Sequence, residues 1–104
     1  MGRVEIEINI ERIDSDDAYE VTGSITVAGE TTEIHRYFSG GNSIFPIYLV
    51  LRDEISTIKE SEIYVQTNSR NFHRELNTLD KQCGTLAVRL KEVLQANCNT
   101  LHVK

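Results

Sequence analysis

Carboxylates, an asparagine and a strand-to-helix junction are the features of this chain that could do chemistry. Glu5, Glu7 and Glu11 share one face of an alternating segment with Asn9, and Asp14-Ser15-Asp16-Asp17 follows them. Dense carboxylates are the hard oxygen ligands that divalent cations prefer, but the calcium-loop pattern lacks its glycine and its terminal glutamate here. The acidic segment is therefore expected to be a solvated turn. Ser39-Gly40-Gly41-Asn42-Ser43 has the glycines of a phosphate cradle without the Lys-Thr or Lys-Ser that should follow, so it reads as a lead-in to a helix capped by Ser43. Thr67-Asn68-Ser69-Arg70-Asn71 ends a strand-like run and opens a helical one, and ligands collect at such junctions in α/β sheets. His35, His73 and His102 are too dispersed for a triad or a metal site. Cys83 and Cys98 form no CxxC and have no zinc-ligand spacing near them, which makes them free thiols of a reducing compartment.

The elements that must position these residues follow from periodicity. Val4, Ile6, Ile8 and Ile10 alternate with Glu5, Glu7, Asn9 and Glu11, a strand with one buried and one polar face that Ile13 extends. Tyr19, Val21, Ile25 and Val27 make a second strand, and Ala28-Gly29-Glu30 turns it into a third running from about Thr31 to Phe38. Ile44, Tyr48, Leu51, Ile55 and Ile58 recur at helical spacing, with Pro46 tolerated in the first turn. Glu62 to Gln66 forms the central strand. Phe72, Leu76 and Leu79 pattern a short helix; Leu86, Leu90, Val93 and Leu94 pattern a longer one, with Gly84 as a kink or boundary. Asn97-Cys98-Asn99 ends that helix, and Thr100 to Val103 reads as a last short strand.

A chain of 104 residues supports a single domain with one modest core. Sixteen acidic against eleven basic residues give a net charge of −5, which opposes non-specific attraction to nucleic acid or an anionic membrane, and no basic run offers a local patch. No signal peptide and no apolar run long enough to cross a bilayer is recognisable, so the protein is expected to be soluble and cytoplasmic.

The order β-β-β-α-β-α-α-β resembles the ribonuclease H-like fold, and Ile63-Tyr64-Val65-Gln66-Thr67-Asn68-Ser69 resembles that family's central strand ending in Thr-Asp-Ser. The resemblance implies an α/β (α+β) domain with a five-stranded mixed sheet ordered 3-2-1-4-5. Strands one, four and five would be parallel and the helices mainly on one face. It also implies a nuclease that holds two divalent metals with carboxylates from the first strand, the first helix and the end of the central strand. Placed on this chain, those positions are Asn9, Pro46 and Asn68: two amides without formal charge and a ring without a ligand atom. The family's final helix and its fourth acid would follow the last strand, and no counterpart of either is seen after Lys104. Glu5, Glu7 and Glu11 lie on the Asn9 face, where solvation is the ordinary explanation for them and a relocated metal site the alternative.

The expectation is therefore a degenerate site with no catalytic residue, no metal and no cofactor. With helices on one face, Glu7, Ser24, Tyr64 and Gln66 would lie at the centre of the polar face and form an interface for a protein partner or a second copy. Nucleic acid and membrane are disfavoured as partners. The alternative is a divergent metal-dependent nuclease or nucleic-acid-binding protein, supported by fold resemblance alone, and fold does not fix function.

Overall fold

A computed structural model describes residues 2–13, 17–40 and 42–104. Asp14, Ser15 and Asp16 of the expected acidic turn, and Gly41 of the glycine loop, lie outside the described residues. Three strands come first: β1 (Gly2–Ile13), β2 (Ala18–Val27) and β3 (Glu30–Ser39). They form because β-branched side chains alternate with polar ones, so each strand buries one row and wets the other. Ala28 and Gly29 join β2 to β3 with φ of 52° and 82°, the left-handed pair that a two-residue hairpin of matching twist requires. Helix α1 (Ile44–Ile55), strand β4 (Ser61–Thr67), helix α2 (Arg70–Asn77), a 3₁₀ turn (Leu79–Lys81), helix α3 (Thr85–Ala96) and strand β5 (Thr100–Val103) complete the order.

The sheet runs β3-β2-β1-β4-β5, antiparallel among the first three strands and parallel from β1 to β4 and from β4 to β5. This is the expected architecture. Val4, Ile6 and Ile8 of β1, Val21 and Ile25 of β2, and Ile63 and Val65 of β4 are buried in one cluster with Ile47, Leu51, Phe72 and Leu90 of the helices. Fully burying such side chains stabilises the fold by about 1.5–3 kcal/mol each. The opposite face of every strand is polar and is exposed or half-buried. At Gly23, β2 lies so close to β1 that a Cβ would stand 1.8 Å from the Glu7 carbonyl oxygen.

Three boundaries differ from the sequence reading. Ser43 occupies the N-cap position of α1, but its side chain caps nothing; Asn42 Oδ1 instead accepts from the N–H groups of Ile44 and Phe45, both at 3.0 Å. An asparagine one residue further back reaches the same orphan donors. The helix also stops at Ile55 and does not continue to Ile58. The chain tightens there, with Ile58 N–H donating to Ile55 O at 3.1 Å and the Ser56 hydroxyl to Asp53 O at 2.7 Å. Asn97 and Asn99 donate to the carbonyls of Ser56 and Ile58. Ile58 still packs on the core as a loop residue, so its apolar period was real and its helix was not. Leu79 belongs to the 3₁₀ turn, and Gly84 is the extended N-cap of α3, the boundary of the two readings offered for it. No helix of the described residues is long and apolar enough to cross a membrane.

Candidate functional site

Parallel pairing of β1 with β4 brings their carboxyl ends side by side, the last paired residues being Ile8 and Thr67. One residue beyond, Asn9 and Asn68 meet. Asn9 Oδ1 accepts from the Asn68 N–H at 3.0 Å. Asn68 answers with both ends of its amide, Oδ1 accepting from Ile10 N–H at 2.9 Å and Nδ2 donating to Ile10 O at 3.1 Å. The side chain of Asn68 thus imitates one more residue of the ladder while its backbone turns into α2. Ser69 then caps α2 through Oγ, which accepts from Phe72 N–H at 3.2 Å. Pro46 is buried in the first turn of α1 and takes no part in this pair.

The residues at these positions do not fit a divalent metal pair. An amide oxygen brings no formal charge, and here both amides are already engaged with backbone, while proline supplies no ligand. Glu7 and Glu11 flank Asn9 on the same face, each roughly 7 Å along the strand, too far apart to close on one ion without rearrangement. Among the described residues no three acidic, histidine or cysteine side chains cluster closely enough to hold a metal.

Beyond the strand ends the open face carries a continuous polar layer. Glu7, Ser24, Tyr64 and Gln66, expected to share a surface, line one shallow hollow of about 180 Å³ together with Glu5, Thr26 and Lys104. Tyr64 is less available than its sequence position suggests. Arg3 of β1 lies over its ring at 4.0 Å, and His102 of β5 stacks on it at 4.6 Å and 17°. Because β1 and β5 flank β4, these neighbours approach from opposite sides. His102 is tied in turn to Glu62 at 3.1 Å, and Lys104 to Glu5 at 2.8 Å. The Lys104 hydrogen bond and charge hold the Glu5 carboxyl below its ordinary range. Across the sheet, His35 meets Glu20 at 2.7 Å and packs on Tyr37 with ring centroids 4.8 Å apart. Hydrogen bonds from His35 and then Tyr37 lower Glu20, and the same contact raises the Tyr37 phenol.

One group was missed. Arg70, His73 and Arg74 line a hollow of about 480 Å³ with Thr67, Asn68 and Ser69, which places positive charge at the carboxyl end of β4. The expectation that no local basic patch exists is corrected to this extent. The signal was the four-residue spacing of Arg70 and Arg74, which puts both on one side of a helix. A search for basic runs cannot see it. His73 is held in place, with Nε2 2.9 Å from Lys104 O and Nδ1 3.2 Å from Asn77 Nδ2.

The sheet order, its mixed polarity and the strand-to-helix junction define a ribonuclease H-like fold, and comparison with solved structures bears this out. Ribonuclease H1 from the halophilic archaeon Halobacterium salinarum NRC-1 superposes over 99% of this chain and 86% of its own, with a TM-score of 0.70 at 11% identity. The N-terminal ribonuclease H domain of a Mycobacterium tuberculosis protein covers 100% of this chain and 83% of its own, with a TM-score of 0.72 at 11% identity. LC11 ribonuclease H1, solved in complex with an RNA/DNA hybrid, covers 97% and 84%, with a TM-score of 0.62 at 14% identity. No protein-family model and no curated protein matches the sequence. At these identities the likeness concerns the fold.

Proposed function

We propose that this chain is a ribonuclease H-like module that does not cut nucleic acid and that binds a protein through the open face of its sheet. The observation that carries the first half is the use made of the two amides. Asn68 both accepts from and donates to Ile10, and a carboxylate at that place could not donate. The residue type therefore suits a strand clamp and not a metal ligand. The second half is supported by the convergence of Glu7, Ser24, Tyr64 and Gln66 on one hollow, in a face where a hydrogen-bonded, stacked layer holds side chains in place for a partner.

The test is incubation of an RNA-DNA hybrid with the purified protein in Mg²⁺ or Mn²⁺, alongside calorimetric titration of each metal. The hybrid is expected to remain intact and metal binding to be weak or absent. Metal-dependent cleavage that disappears in Glu7→Gln or Asn68→Ala would overturn the non-catalytic reading.

A second reading, nucleic-acid binding without cleavage, is favoured by Arg70 and Arg74 beside the end of β4 and by the neighbour solved with an RNA/DNA hybrid. It requires hybrid binding that falls steeply with salt and is lost in Arg70→Glu/Arg74→Glu. Unchanged affinity in that variant removes it.

A further inference from the structure

Strand β3 is an edge strand ten residues long, paired to β2 in unbroken register from Glu30 opposite Val27 to Ser39 opposite Ala18. It has no proline and no bulge, two of the devices by which edges are commonly blunted. Which backbone groups it leaves free follows from the hairpin. The two-residue turn makes Val27 and Glu30 a hydrogen-bonded pair, so the even-numbered residues of β3 direct N–H and C=O toward β2. Gly40 N–H, donating to Asp17 O at 2.8 Å, continues the same parity at the far end. Thr31, Glu33, His35 and Tyr37 therefore turn their backbone groups to the free edge. Their side chains lie on the open face, where all four are exposed.

We propose that a second copy of this chain pairs antiparallel along β3, about a twofold axis through Ile34, to make a continuous ten-stranded sheet. Charge selects this occupant and this register. Residues on one face pair only in even steps, and the outward odd residues must pair with one another to exchange hydrogen bonds. With the axis at Ile34, Glu33 stands opposite His35 of the second copy, twice, and Thr31 opposite Tyr37, twice. On the other face Arg36 stands opposite Thr32. Sliding one copy by two residues in one direction sets Glu33 against Glu33, and like charges directly opposite are unfavourable; sliding it in the other sets His35 against His35 and gives up both Glu33–His35 pairs. The charges that would guard this edge against arbitrary strands thus match their own copy in one register. The four pairs exchange eight backbone hydrogen bonds. The interface is small, so the dimer is expected to be populated at on the order of 100 µM and to be in rapid exchange. It leaves the open face uncovered and so stands apart from the protein-binding reading of that face.

Sedimentation equilibrium measures the association, and hydrogen exchange followed by NMR locates it. The amides of Thr31, Glu33, His35 and Tyr37 should exchange more slowly as concentration rises, while those of Thr32, Ile34 and Arg36, already bonded to β2, should not change. Glu33→Lys should raise the dimer dissociation constant about tenfold, and Glu33→Lys/His35→Glu, which restores a complementary pair in the opposite order, should return it to within about threefold. Circular dichroism confirms that each variant is folded. A wild type that is monomeric at millimolar concentration overturns the proposal. So does a dimer whose odd-numbered β3 amides exchange independently of concentration, or whose affinity Glu33→Lys leaves unchanged.

Discussion

An amide and a carboxylate share a shape and differ in what they can donate, and Asn68 uses that difference. Replacing it with aspartate keeps Oδ1 for the Ile10 N–H but sets a second oxygen against the Ile10 carbonyl, where Nδ2 now donates at 3.1 Å. Asn68→Asp should destabilise the fold by about 1–3 kcal/mol, measured by urea denaturation at pH 7. The pH dependence distinguishes repulsion from simple loss of contact. Facing a carbonyl, the new carboxyl has a folded-state pKa above its unfolded value of about 3.9, so the cost should be small below that value and should grow as pH rises through the folded pKa. A cost independent of pH would refute the clamp. Glu5 provides the opposite sign: Lys104 lowers its pKa, so the pair contributes stability above the unfolded carboxylate pKa and loses it as pH falls through the folded one. In an NMR titration Lys104→Met should move Glu5 back up toward the ordinary range; no movement would show that Lys104 is not the cause. The family resemblance, carried by the central-strand motif, placed Asn9 and Asn68 at one site. It could not show what the amides bond to, since the partner is the backbone of Ile10, 58 residues away.

Elements were legible wherever a simple period ran through them. The first, second and fourth strands announce themselves by alternation and the third by its hairpin, whereas the pairing order came from the family resemblance and not from any period in the chain. Helix ends were less legible: α1 closes in local turns, with Ser56 donating to Asp53 O and Ile58 N–H to Ile55 O, and the segment beyond it is tied to a distant loop through Asn97 and Asn99. The cap illustrates the same limit. Asn42→Ala should cost about 1 kcal/mol in thermal or urea melts, whereas Ser43→Ala should change little. Equal costs would mean that both residues share the cap. Gly23 carried no pattern signal at all, being a gap in the alternation of β2. Its reason is the approach to β1: the Cβ of Gly23→Ala would stand 1.8 Å from the Glu7 carbonyl oxygen, with backbone on both sides of the clash. The β1–β2 ladder would have to part at Ile8, at a cost of about 3 kcal/mol or more. A variant that melts within a few degrees of wild type would show that the strands have room to separate.

At the scale of the whole molecule, the helices and the apolar rows fill one side of the sheet, and the other side is held by ion pairs, a threonine pair and stacked rings. That division was readable from the sequence, but the state of its centre was not. Tyr64, expected at the centre of the polar face with Glu7, Ser24 and Gln66, already has Arg3 on one side and His102 on the other. Tyr64→Lys would therefore test two things at once, since the new ammonium loses both stacking contacts and stands beside a guanidinium. Ser24 is the cleaner position. It is half-buried at the floor of the hollow, opposite Glu7, and makes none of the contacts that tie the layer together. Arginine there would fill the hollow of about 180 Å³ and place its charge between Glu7 and Glu33, its cross-strand neighbours, leaving the apolar core and the Tyr64 stack as they are. Ser24→Arg should melt close to wild type, because surface substitutions away from special contacts usually change stability by about 0.5 kcal/mol or less. It should nonetheless lose any protein bound to the open face, because the arginine side chain fills the hollow in which a partner would seat and puts a hydrated charge into that contact. The measurement is affinity purification with wild type, Ser24→Arg and Glu33→Lys in parallel, followed by reconstitution of each retained protein from purified components. A partner held by wild type and Glu33→Lys and released by Ser24→Arg supports open-face binding. Partners that bind all three alike, or none at all, would return this face to ordinary solvated sheet.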